Sequence, residues 1–182
     1  MIRFIIALFL LGIMSTLSVA APSSEYWDIW DSSVESSTEE IDHSKWQILL
    51  NEYLVQDESD GIIKVDYMRL LDNDKGTLDE YLSSLTSIDP LLLNRNEQRA
   101  YWINLYNALT VQVILDHFPT KSILKINISP GFFTFGPWDK KLITINDVEL
   151  SLNDIEHRIL RPIWKDPRIH YAVNCASIGC PN

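Results

Sequence analysis

The sequence predicts an α+β fold in a single domain, with a central buried helix, several flanking helices and a small, mainly antiparallel sheet. Three observations carry this. Residues 95 to 118 form the longest periodic stretch, and it is apolar on nearly every side. Shorter stretches around 45, 78 and 152 repeat apolar residues at helical spacing, each behind a capping residue. The runs that alternate apolar and polar residues are short and bounded by turn residues. At 182 residues, 46% hydrophobic and 10% aromatic, the chain has apolar surface enough for one core, which excludes a disordered chain, a collagen-like repeat and a multi-span membrane protein. Fifteen Lys and Arg against 25 Asp and Glu give a net charge of -10, the wrong sign for a nucleic-acid footprint.

The elements follow in order. Arg3, the apolar run Phe4 to Ile13 and the small residues Ser18-Val19-Ala20 read as a signal peptide over 1–20, cleaved after Ala20, so the protein is expected to be exported, to a periplasm or the secretory pathway. The apolar run is shorter than the roughly 20 residues that span a bilayer, so no stable membrane span is expected after cleavage. Residues 21–44 are rich in Ser and acidic residues without a sustained period and read as a loosely packed linker, with Trp27 and Trp30, at i and i+3, as the alternative of a short turn docking on the domain or a partner. The domain is placed at 45–182. Trp46, Leu49, Leu50, Tyr53 and Leu54 predict a helix over 45–55 behind Ser44 as N-cap; Ile62 to Tyr67 predicts a strand, Asp66 caps a turn at 67–71, and Thr77 with Glu80 frames a helix through Leu85.

Asn94 and Glu97 open the long helix in a capping-box arrangement and Pro119 stops it. Because that helix is apolar nearly all round, Asn104 and Asn107 are expected in surroundings where an unpaired amide costs about 1–3 kcal/mol. They either tie down the backbone of a neighbouring loop or contact a substrate directly. Residues 122–128 alternate weakly as a strand, and 130–137 is an aromatic loop between Pro and Gly breakers that could wall a pocket. Leu142 to Leu150 reads as a hairpin turning at Asn146-Asp147, and Ser151 with Asp154 caps a helix ended by Pro162, with Leu152, Ile155 and Ile159 on its core side and His157 on its polar side.

Ile169 to Ala176 alternates as a half-buried strand. In a regular strand Tyr171, Val173 and Cys175 face one way and His170, Ala172 and Asn174 the other, so Cys175 cannot meet His170. His157 is then the better base for a Cys175 thiolate.

The blocks Asn96 to Thr110, Pro137-Trp138-Asp139, Leu150 to His157 with Leu160-Arg161-Pro162, and Asp166 to Ser177 with Cys180-Pro181 occur in an order that resembles the domain-of-unknown-function family numbered 547. The resemblance runs from about Trp46 to the end and singles out Asn104, Asn107, Glu156, His157, His170, Asn174, Cys175 and Cys180, but implies no activity. Family members continue past the Cys-Pro motif, which implies that the C-terminal part of the domain is missing here.

Three readings of Cys175 and Cys180 stand open. In an exported protein they form a structural disulfide, making a non-catalytic binding or scaffold domain. Alternatively Cys175 is the nucleophile of a cysteine-dependent hydrolase or acyl-transferase, with His157 as base and Glu156 orienting it, supported by the polar network of Asn104, Asn107, His170, Asn174 and Cys180. As a second alternative the cysteines bind zinc with His157 or His170; otherwise no cofactor is expected. No Gly-rich phosphate loop, G-x-S-x-G elbow or H-E-x-x-H motif occurs, and the partner is an unspecified substrate or protein.

Overall fold

The computed structural model describes residues 25–56, 61–131 and 134–176. The expected signal peptide, Phe132-Phe133, Ser177 and Cys180-Pro181 lie outside the described residues. Helix α1 (Ser44–Tyr53) leads into a hairpin of β1 (Leu54–Gln56) and β2 (Ile63–Val65), then α2 (Tyr67–Asn73), α3 (Lys75–Thr86) and the long α4 (Arg95–Asp116). A second hairpin, β3 (Ile143–Ile145) and β4 (Val148–Leu150), precedes a π-helical segment, Asp154–Leu160, continued by α5 (Arg161–Trp164) and α6 (Ile169–Ala172). Both hairpins are antiparallel, pairing Leu54 with Val65 and Ile143 with Leu150. The α+β expectation therefore holds, and among the described residues no helix is long and apolar enough to cross a membrane.

The centre is α4. Tyr101, Trp102, Leu105 and Ala108 on it are fully buried, flanked by Leu78, Tyr81 and Leu85 of α3 on one side and Ile155 and Ile159 of the π-helical segment on another. Its start is fixed as the sequence predicts: the Asn94 side chain accepts the backbone N–H groups of Asn96 and Glu97, both at 3.1 Å. Ser151 and Asp154 complete a reciprocal box, Asp154 Oδ2 accepting the Ser151 N–H at 2.8 Å while Ser151 Oγ accepts the Asp154 N–H at 3.2 Å. Asn146 and Asp147 have φ of 47° and 62°, the two left-handed residues that a tight hairpin turn requires.

Four local expectations are corrected. Residues 122–128 are not a strand but contain a 3₁₀ turn, Ile123–Lys125, because Ser122 Oγ accepts the Leu124 N–H and the spacing of Ile123 and Ile126 buries both on one side. Residues 169–176 likewise begin as a helix: Asp166-Pro167 is a helix-starting pair, and Ile169 and Val173 at i and i+4 point to the core. Helix α3 starts at Lys75, with the Thr77 hydroxyl bonded to the preceding Asp74 rather than boxed with Glu80. Asp42, not Ser44, receives the first free N–H of α1.

The acidic stretch read as a loose linker is packed where it is described. Trp30 is 1% exposed and meets Trp102 edge-on at 5.1 Å. The amide nitrogen of fully buried Gln98 lies 2.8, 3.1 and 3.4 Å from the carbonyls of Ser32, Pro90 and Trp30, and Glu97 spends its carboxylate on the Ile41 N–H at 2.8 Å. The Asn94 amide donates to the Ser37 carbonyl at 3.1 Å. At the other end the Trp27 N–H reaches the Arg158 carbonyl at 3.1 Å. Residue 162, four positions on, is proline and offers that carbonyl no competing N–H.

Candidate functional site

Where α4, the π-helical segment, α5 and α6 meet, three of the side chains singled out by the sequence, Glu156, His157 and His170, come near one another around the Glu156 carboxylate. Glu156 is 13% exposed; its Oε1 accepts the Arg161 Nε–H at 3.0 Å and a second guanidinium N–H at 2.5 Å, and its Oε2 accepts the Tyr106 hydroxyl at 3.2 Å. The same Arg161 nitrogen lies 3.3 Å from His170 Nδ1 on α6. His157 Nε2 stands 3.9 Å from Glu156 Oε2, too long for a hydrogen bond. Sequence reading missed Tyr106 and Arg161. Glu156 and Arg161 are five apart, about 140° apart on an α-helix, whereas the wider turn of a π-helix brings i and i+5 together.

His157 is also 13% exposed, more covered than its expected place on a polar helix face implied. Burial lowers its proton affinity and Arg161 lowers it further, while Glu156 and Asp139 pull the other way; the imidazole is held neutral-leaning. His43, bonded through Nδ1 to the Tyr81 hydroxyl at 2.7 Å, is lowered by burial as well, against the pull of Glu97 and Asp42. Both imidazoles take up protons more readily in the unfolded chain than in the fold. Their contribution is complete above about pH 6.5 and is lost as pH falls below it, by at most about 1.4 kcal/mol per pH unit for each proton. Thermal melts should therefore be flat from pH 7 to 8 and decline between pH 6.5 and 5, with part of that decline removed in His43→Gln. A melting temperature independent of pH over that window would contradict the burial of these rings.

Asn107 answers the question left open by its position. Its Nδ2 donates to the Ala172 carbonyl at 2.9 Å and its Oδ1 accepts the Asn174 N–H at 2.8 Å, so the amide clamps the segment entering Cys175. Asn104, half-buried one turn earlier, makes no hydrogen bond among the described residues. Asn174 Oδ1 accepts the Ala176 N–H at 2.7 Å. Ala176 itself has φ of 55°, a left-handed conformation costing about 1–2 kcal/mol in a residue with a Cβ. Cys175 is disulfide-bonded. The chain's other cysteine, Cys180, lies outside the described residues. The parity argument that kept His170 from Cys175 falls away, since residues 169–172 are helical. Among the described residues no three His, Cys, Asp or Glu side chains are grouped as metal ligands.

The aromatic loop contributes Trp138, whose carbonyl accepts the Asn153 N–H at 3.0 Å and so ties the loop to the start of the π-helical segment. Gly136, at φ 77°, permits the approach: a Cβ there would lie 2.6 Å from Trp138 Nε1.

A small α+β domain with a carboxylate, an arginine and two histidines at one junction defines a class by arrangement rather than by reaction. Residues 90–182, about half of the chain, match the model of the family described as "Protein of unknown function, DUF547", and the chain belongs to that family. No curated protein and no solved structure matches it.

Proposed function

We propose that the chain is an exported, non-catalytic binding or scaffold domain in which Cys175 is a structural half-cystine. The observation that carries this reading is the bonded state of the Cys175 sulfur, which leaves no thiolate to attack a substrate. The Asn107 clamp supports it, since a side chain spending both ends of its amide on backbone is holding a loop in place. Export suits a cystine, because an oxidising compartment preserves it.

One observation favours a second reading. The neutral-leaning His157 is the imidazole a thiol hydrolase or acyl-transferase needs, so in reduced protein Cys175 would be the nucleophile and His157 the base, with Glu156 shifting from its present 3.9 Å into bonding reach to orient the ring.

Thiol titration separates the two. Protein purified without reductant and denatured in guanidinium is expected to show no free thiol, and two per chain after reduction, since the sequence holds two cysteines. Free thiol in the unreduced sample, alkylated by iodoacetamide well below pH 8 and protected by His157→Ala, would replace the scaffold by the enzyme. Zinc bound near one equivalent with both sulfurs engaged would replace it by a metal site.

A further inference from the structure

The chain is acidic overall, with a net charge of -10, but its charge is unevenly spread. On the corner made by α5, α6 and the start of α4, Arg99, Arg161, Lys165 and Arg168 stand over two carboxylates, Asp166 and Glu156. The anions are the more deeply placed partners: the side chains of Asp166 and Glu156 are 17% and 13% exposed, those of Arg99, Arg161 and Arg168 35%, 34% and 82%. Asp166 Oδ2 holds two guanidinium groups at once, Arg168 at 2.6 Å and Arg99 at 3.5 Å, and its proton affinity is depressed to a pKa of about 2, first by the Arg168 hydrogen bonds. The arginines are thus fixed from beneath: Arg161 and Arg168 each spend Nε and one Nη on these carboxylates, and the other Nη of each makes no hydrogen bond among the described residues. Lys165, exposed in a left-handed helix end at φ 51°, makes no ion pair among the described residues.

Beside these cations lies an aromatic face. Ile169 and Val173 are buried, which turns Tyr171 and His170 outward; Tyr171 is 70% exposed, with its ring 5.7 Å from that of His170 at 70°. An outward tyrosine ring offers an amphipathic face on which a flat, partly apolar ligand can rest.

The geometry points to this corner as a binding surface for a carboxylate-bearing polysaccharide, the sugar face resting on Tyr171 and the carboxylates meeting Arg168, Lys165 and Arg161. The inference deepens the binding-domain reading and rests on it. Guanidinium forks match carboxylates in shape as well as charge, and arginines already anchored by buried partners lose less freedom on binding than mobile ones. Charge complementarity selects an anionic ligand, and the ring selects a glycan over an acidic peptide.

The test is titration of the full chain with polygalacturonate oligomers, with neutral dextran and poly-glutamate as the other arms. Binding to polygalacturonate is expected, weakening as salt rises, with no binding to dextran. Arg168→Glu and Tyr171→Ala, both at exposed positions that leave the core untouched, should each weaken it about 3- to 10-fold. No binding to polygalacturonate, or binding unchanged in both variants, overturns the inference. Equal binding of poly-glutamate that ignores Tyr171→Ala overturns it in favour of an acidic peptide. None of these results alters the thiol count, so failure here is distinct from failure of the scaffold reading.

Discussion

Trp30→Ala is expected to lower the unfolding free energy by about 3–5 kcal/mol, a loss of the size seen when a large aromatic leaves a packed core. The residue lies in a segment whose composition resembles a tail, yet it is 1% exposed and packs edge-on against Trp102, itself fully buried. Removing it opens a cavity against α4 that the surroundings cannot fill, because the neighbouring backbone is fixed by Gln98 on Ser32 and Trp30 and by the Asp31–Arg95 ion pair at 2.9 Å. Trp30 Nε1 is buried without a hydrogen-bond partner among the described residues, so the substitution also removes an unmet donor and the loss should fall toward the lower end of that range. Urea titration followed by far-UV circular dichroism measures it. Ile29→Ala, next in sequence and 46% exposed, is the control and should stay within about 0.5 kcal/mol of the parent. If both variants behaved alike, the segment would be a tail after all.

Why that packing escaped the sequence is a matter of which signals are local. A capping box or a two-residue turn is written in neighbouring residues, so Asn94 as N-cap, Ser151 with Asp154 and Asn146-Asp147 were legible, though Glu97 gives its carboxylate to the Ile41 N–H instead of closing its box. The docking of 25–43 depends on groups far along the chain: Gln98, the Leu93 carbonyl that accepts from Val34, and the Arg158 carbonyl that accepts from Trp27. Residues 169–176 failed for the opposite reason: alternation over a few residues fits period 2 and an i, i+4 pair equally well, and the Asp-Pro start decided it. At the site, Glu156, His157, Asn107 and His170 were found through their motif positions. Arg161 was missed because an α-helical wheel separates it from Glu156 where a π-helix brings them together, and Tyr106 because its contact with Glu156 joins two separate helices.

The two amides on α4 give the sharpest contrast. Asn107→Leu should cost about 1–3 kcal/mol, chiefly because the part-buried Ala172 carbonyl loses its donor; the exposed Asn174 N–H loses its acceptor too but can turn to water. Asn104→Leu, three residues earlier on the same helix, takes no hydrogen bond from the described residues and should shift stability by less than about 1 kcal/mol. The difference also reads out at the cystine. With the 172–174 backbone no longer clamped, Ala176 can leave its left-handed conformation, and Cys175 should become reducible at lower dithiothreitol concentration than in the parent or in Asn104→Leu. Thermal melts and a reductant titration on the three proteins measure both effects. If Asn107→Leu destabilised the fold while leaving the reduction midpoint where it was, the clamp would serve the helix contact alone and not the segment that carries the sulfur.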